Sequence, residues 1–98
     1  MPVQGERQAF TRATIGEAPD APGVYALFEI EEVVFYGSAF GGTITIRSCL
    51  LERFAEAGSG ATHCAWEISL NPAARERALL DEHRARHGRL PRRNQQAN

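Results

Sequence analysis

Gly23-Val24-Tyr25-Ala26-Leu27-Phe28 and Val33-Val34-Phe35-Tyr36-Gly37 stand almost back to back, with only Glu29-Ile30-Glu31-Glu32 between them. Both runs are rich in β-branched and aromatic side chains and are bounded by glycine, a composition that predicts a β-hairpin. Alternation along the first run puts Val24, Ala26, Phe28 and Ile30 on one face and Tyr25, Leu27 and Glu29 on the other. Which aromatic of the second run joins Tyr25 depends on the loop. A two-residue turn at Glu31-Glu32 brings Tyr36 to the face of Tyr25; an odd loop brings Phe35 there. Glu-Glu is a poor type I′ turn, which favours a longer loop.

The rest of the chain extends from this hairpin. Residues 1–11 are polar and are expected to fray. Thr14-Ile15-Gly16-Glu17-Ala18 reads as a short helical turn closed by Pro19, and Pro19-Asp20-Ala21-Pro22-Gly23 as the turn into the first strand. Residues 38–45 form a loop of small residues around Gly41-Gly42. No lysine follows it and the spacing is not that of a P-loop, so it reads as a connector. Thr43 or Thr45 caps a helix reaching about Ala57, with Ile46, Leu50 and Phe54 as its apolar stripe and Arg47 at the stripe's edge. Gly58-Ser59-Gly60 ends it. In the next strand Cys64, Trp66, Ile68 and Leu70 alternate with His63, Ala65, Glu67 and Ser69, which predicts one buried and one wet face. Asn71-Pro72 opens a helix over residues 72–87 that stops at Gly88. The order β-β-α-β-α predicts an α+β fold, a three-stranded antiparallel sheet flanked by helices. It forms one domain across residues 1–98 with its core at about 19–94.

Several function classes drop out on composition. The apolar runs are too short to cross a bilayer, and the first 20 residues hold no apolar signal region, so a cytoplasmic chain without a membrane role is expected. Cys49 and Cys64 fit reduced thiols better than a disulfide framework. The net charge of −1 names no partner, but its distribution is uneven. All 11 basic residues are arginine, and Arg84, Arg86, Arg89, Arg92 and Arg93 follow Glu82 with no acid among them. The planar guanidinium suits phosphate; codon usage and a solvated surface explain the same inventory equally well.

With these elements in order, the chain resembles the GIY-YIG nuclease superfamily. Gly23-Val24-Tyr25 stands where that family has G-I-Y, and Phe35-Tyr36-Gly37 where it has Y-I-G. Arg47 sits in the following helix, as the family's catalytic arginine does. Ala78-Leu79-Leu80-Asp81-Glu82 is similar to the helical segment ending in its metal-binding glutamate, and Pro91-x-x-Asn94 to its terminal P-x-x-N. The resemblance covers residues 19–94. It implies hydrolysis of a phosphodiester in nucleic acid, DNA above all, with one Mg²⁺ or Mn²⁺ ion. Tyr25 would be base or water-orienter, Arg47 the phosphate clamp and Glu82 the metal ligand. Arg84, Arg86, Arg89, Arg92 and Arg93 would hold flanking phosphates, and Asn94 would make a supporting or phosphate contact. A bare domain of this kind implies low specificity or a protein partner that supplies it. The sequence departs from the pattern at Phe35, where the family has tyrosine, at Ser38, where a basic residue is frequent, and at Arg53, where several members have histidine. The pattern also favours Phe35 beside Tyr25, with Tyr36 structural.

Each residue has a plainer role available. Tyr25 suits a half-buried sheet aromatic, Glu82 a surface pair with Arg86, Arg47 a cover for Leu51, and Asn94 a polar chain end. Ala74, Ala78 and Ala85 share the helix side of Glu82 and leave room beside it. His83 and His87 have the i, i+4 spacing of zinc ligands, but without a CxxC they read as flanking an apolar stripe. Two functions therefore compete: a metal-dependent nuclease, and a non-catalytic module of the same fold that binds nucleic acid or protein. The nuclease requires Tyr25, Arg47 and Glu82 to converge on one cleft.

Overall fold

The hairpin forms the centre of an antiparallel sheet with helices on both of its faces. The computed structural model describes residues 6–56 and 60–94. Its elements are β1 (Gln8–Ala9), α1 (Arg12–Gly16), β2 (Gly23–Glu29), β3 (Glu32–Ala39), α2 (Ile46–Ala55), β4 (His63–Ile68) and α3 (Pro72–His87). The strand order is β1-β4-β2-β3, so β2 is bonded on both sides and β3 forms one edge.

The sheet has four strands where three are expected from the sequence, because the N-terminal segment is not frayed throughout. Gln8 and Ala9 pair with Cys64 and His63. The Phe10 N–H donates to the Thr62 carbonyl at 3.0 Å, and the Phe10 ring meets Phe54 of α2 edge-on at 5.4 Å. One buried aromatic outweighs a polar neighbourhood here, since it contributes roughly 1.5–3 kcal/mol. Residues 1–5, also expected to fray, lie outside the described residues, as does part of the expected stop at Gly58-Ser59-Gly60. The first helix starts two residues earlier than expected, at Arg12, because the Thr11 side chain accepts from the Thr14 N–H and caps it.

The hairpin loop is two residues, Ile30-Glu31, with Glu29 opposite Glu32. Continued in that register, Tyr25 would face the same side as Tyr36. A β-bulge intervenes: Phe28 pairs with Val33, Leu27 with Phe35, and Val34 is the extra residue between them. A bulge sets two residues against one and shifts every side chain beyond it to the other face. Phe35 accordingly shares the face of Tyr25, with ring centroids 6.0 Å apart. Tyr36 turns to the opposite face among Val24, Ala26, Ala65 and Leu79. The expected pairing of Phe35 with Tyr25 thus arises through a bulge, not an odd loop.

Two apolar layers result. Tyr25, Leu27, Val34, Cys64, Ile46 and Leu50 form the layer under α2. Leu79 closes the second layer beneath α3. The expectation of one buried and one wet face on β4 fails for this reason. Ala65, placed on the wet face, is 2 % exposed under α3, while Leu70, placed on the buried face, lies beyond the strand and is 95 % exposed. Of the two expected caps, Thr43 and Thr45, Thr45 caps α2, in a reciprocal capping box with Ser48. Helix α3 covers the expected range, although the Asn71 side chain makes no capping bond. An ion pair ties its first turns to β4: Arg75 Nε donates to Glu67 Oε2 at 2.8 Å.

The chain after α3 closes the outer edge of β3. Pro91 is fully buried. The Arg93 N–H donates to the Val34 carbonyl at 2.8 Å, which satisfies the bulged residue. The Asn94 side chain then acts as a substitute peptide group: its Oδ1 accepts from the Tyr36 N–H at 2.9 Å, and its Nδ2 donates to the Tyr36 carbonyl at 3.0 Å. An edge strand with unpaired groups is a template for association, and this segment covers it. Asn94→Ala is expected to lower the unfolding free energy by ~1–2 kcal/mol, the scale for leaving partly buried backbone groups unpaired. Urea melts of the variant and wild type check this, and far-UV circular dichroism should show the fold unchanged.

Candidate functional site

The sequence-derived candidates divide between the two faces of the sheet. On the α2 face, Tyr25 projects over Gly37, where a Cβ would run into its ring. Its hydroxyl accepts from Arg53 Nε at 3.4 Å, and the same guanidinium lies over Phe35, 4.6 Å from the ring centroid. Arg47, the expected clamp, is engaged elsewhere. Its Nε donates to the Ala18 carbonyl at 3.0 Å and its N–H to the Pro19 carbonyl at 3.2 Å. Arg47 therefore ties α2 to the end of α1, and Arg53 is the arginine that meets Tyr25.

On the α3 face, Glu82 lines a cleft of about 300 Å³ between the hairpin and the C-terminal half of α3. Arg86, Arg89 and Arg92 line it too, with Tyr36, His83, His87, Val33, Glu31 and Glu32. Arg92 Nη2 donates to Glu29 Oε2 at 2.7 Å, an exposed pair of small energetic weight. Arg84 is exposed on α3 and does not line the cleft. Arg93 and Asn94 hold β3, as described above. Four expected residues (Glu82, Arg86, Arg89 and Arg92) are brought together; Tyr25 and Arg47 are on the other side of the sheet.

Sequence reading missed Tyr36 and the two histidines as cleft residues. Their rings form a ladder: Tyr36 and His83 meet edge-on at 6.3 Å, and His83 and His87 are tilted at 4.4 Å. The i, i+4 spacing was the available signal. His83 Nδ1 lies 2.9 Å from the Arg89 carbonyl. A carbonyl only accepts, so Nδ1 carries the proton, which fixes the ring's orientation. Glu31 and Glu32 were read only as loop residues. Glu76 was also missed; its charge adds to the field around Tyr25.

The divalent ion implied by the GIY-YIG resemblance would rest on Glu82. Among the described residues, no three His, Cys, Asp or Glu side chains are grouped to hold a metal ion by themselves. Three arginines (Arg86, Arg89 and Arg92) and three glutamates (Glu31, Glu32 and Glu82) line the same cleft. Glu82 would supply one carboxylate to such an ion, with water and a substrate phosphate as further oxygen ligands.

Residues 1–86 match the family described as a domain of unknown function, DUF7508. The chain belongs to that family. The match spans the sheet and nearly all of α3, and stops short of Arg89, Arg92 and the segment that closes β3. No curated protein matches the chain. In this DUF7508 domain both cysteines are free, and among the described residues no helix is long and apolar enough to cross a membrane.

Both tyrosines are shifted upward, and the cause is the same. Burial raises Tyr25 above its ordinary value of 10.0, while Arg53 opposes the shift through its hydrogen bond and charge. Burial likewise raises Tyr36, opposed by the charges of Arg75 and Arg86. Burial pushes the Cys64 thiol from 9.0 to about 11. Tyr25 is thus protonated at neutral pH. In each case the folded state holds its proton more tightly than the unfolded chain. The stabilising contribution is complete below the unfolded value and is lost as pH rises through the folded one. Stability is expected to fall from about pH 9 upward, and Cys64→Ala should flatten the fall between about pH 9 and 11, by up to ~2–3 kcal/mol. Urea denaturation at a series of alkaline pH values measures it. An equal slope in wild type and variant would contradict it.

Proposed function

We propose that this domain binds nucleic acid through the cleft between the hairpin and α3, as a non-catalytic module on a GIY-YIG-like fold. The observation that carries this reading is the grouping of Arg86, Arg89 and Arg92 on one cleft, opposite the face that holds Tyr25 and Arg47. Guanidinium groups bind phosphate oxygens with paired N–H donors and without regard to sequence. Among the described residues, Arg86 and Arg89 form no ion pair, so their charge is available to a polyanion. A protein partner would supply sequence selection. The analogy to a nuclease fold does not by itself carry an activity.

Affinity for an oligonucleotide should fall steeply with salt, and each arginine that contacts phosphate should contribute about one unit to the slope of log K against log salt. Arg86→Ala and Arg89→Ala are each expected to flatten that slope by about one and to weaken binding, whatever the sequence. Fluorescence anisotropy at several salt concentrations measures both. Unchanged slopes in both variants would remove the cleft from the reading.

The nuclease reading keeps one supporting observation on the other face, the contact between the Tyr25 hydroxyl and Arg53, with Glu76 close enough to influence that hydroxyl. There Arg53, not Arg47, would meet the phosphate. A plasmid-nicking assay with Mg²⁺ or Mn²⁺ separates the two functions. Under the binding reading, wild type leaves the plasmid intact but binds it. Nicking that Arg53→Ala abolishes and Glu82→Ala spares would establish the nuclease on the α2 face.

A further inference from the structure

The cleft is not uniformly basic. Arg86, Arg89 and Arg92 lie on its α3 and tail side, outnumbering Glu82 there, and Glu31 and Glu32 lie on its hairpin side. The same cleft holds the ring ladder from buried Tyr36 through His83 to exposed His87. A backbone phosphate is attracted to one wall and repelled by the other, whereas a base's amino groups can donate to the carboxylates. A cleft of about 300 Å³ is at the lower limit of small-molecule sites, with room for one nucleoside-sized group. A base can enter only if it is unstacked, and in a duplex the bases show only their edges.

Resting on the nucleic-acid reading, we infer that the cleft takes single-stranded nucleic acid, with one base stacked on the His87–His83 ladder and its flanking phosphates on Arg86 and Arg89. The ladder is preset: His83 is fixed by the Arg89 carbonyl, and His87 lies against it at 4.4 Å. The ring that receives the base therefore loses little freedom on binding. The carboxylates of Glu31 and Glu32 face the base edge and exclude a second phosphate backbone, which disfavours a duplex. Stacking is sequence-tolerant because every base has a π-face.

The test uses the full chain and labelled probes: a short mixed-sequence DNA strand, the RNA of the same sequence, the DNA duplex, and an abasic strand of equal length. Both single strands are expected to bind at least about tenfold more tightly than the abasic strand and the duplex, the scale of one base–ring stack. His87→Ala should abolish that preference, and His87→Phe, which keeps a ring without the imidazole, should retain it. His87 is exposed, so neither variant threatens the fold. Equal binding of the abasic strand, or tighter binding of the duplex, overturns the inference while leaving a phosphate cleft in place. If no probe binds, or if Arg86→Ala and Arg89→Ala bind every probe as wild type does, the underlying nucleic-acid reading falls with it. A difference between DNA and RNA strands identifies which of the two the cleft prefers.

Discussion

One extra residue in β3 determines which chemistry can meet which. The two-residue loop at Ile30-Glu31 starts the hairpin in a register that would place Tyr25 and Tyr36 side by side. Val34 then bulges, and the register moves by one. Because side chains alternate along a strand, a shift of one residue exchanges the faces of everything beyond it. Phe35 moves under α2 beside Tyr25, and Tyr36 moves under α3. The two hydroxyls of the hairpin end up on opposite sides of the sheet, each buried in a separate apolar layer. Neither face of the sheet therefore carries both hydroxyls.

The same bulge explains the segment after α3. A bulged residue leaves its carbonyl outside the ladder, and Val34 lies on an edge strand where no neighbouring strand can use it. Arg93 supplies the missing donor, and Asn94 continues the pairing with both atoms of its side-chain amide at Tyr36. Pro91 is buried at the start of this segment and has no N–H to leave unsatisfied. The P-x-x-N pattern therefore has a structural reason within this chain, namely closing an irregular edge. That reason is independent of any phosphate contact.

Much of the architecture was legible because the apolar spacing is local. The hairpin, the capped α2, the strand before α3 and the span of α3 all follow from short-range patterns. What was not legible depended on contacts far apart in sequence. Phe10 is ordered by Phe54 and by the carbonyl of Thr62, neither of which a window around residues 1–11 contains. Ala65 reads as indifferent to burial until Leu79 is placed over it. The candidate site shows the same division. Glu82, Arg86, Arg89 and Arg92 lie near one another in the chain and were found together. Arg47 and Arg53 are six residues apart on one helix, and spacing alone does not say which meets Tyr25; the bond from Arg47 to Ala18, 29 residues earlier, decides it.

If the cleft binds as proposed, the segment from Arg89 to Asn94 would also couple stability to binding. Its buried proline and its asparagine hold β3, while Arg89 and Arg92 form one wall of the cleft. The Arg89 carbonyl orients His83, so the ring ladder keeps its geometry only while the segment is docked. A ligand that bridges α3 and this segment binds the docked state and not the released one. It must therefore stabilise the closed edge of β3 by mass action. In a domain of this size, whose whole stability is of the order of 5–15 kcal/mol, that linkage is not a small correction. Edge closure and cleft formation thus draw on one segment, Arg89 to Asn94.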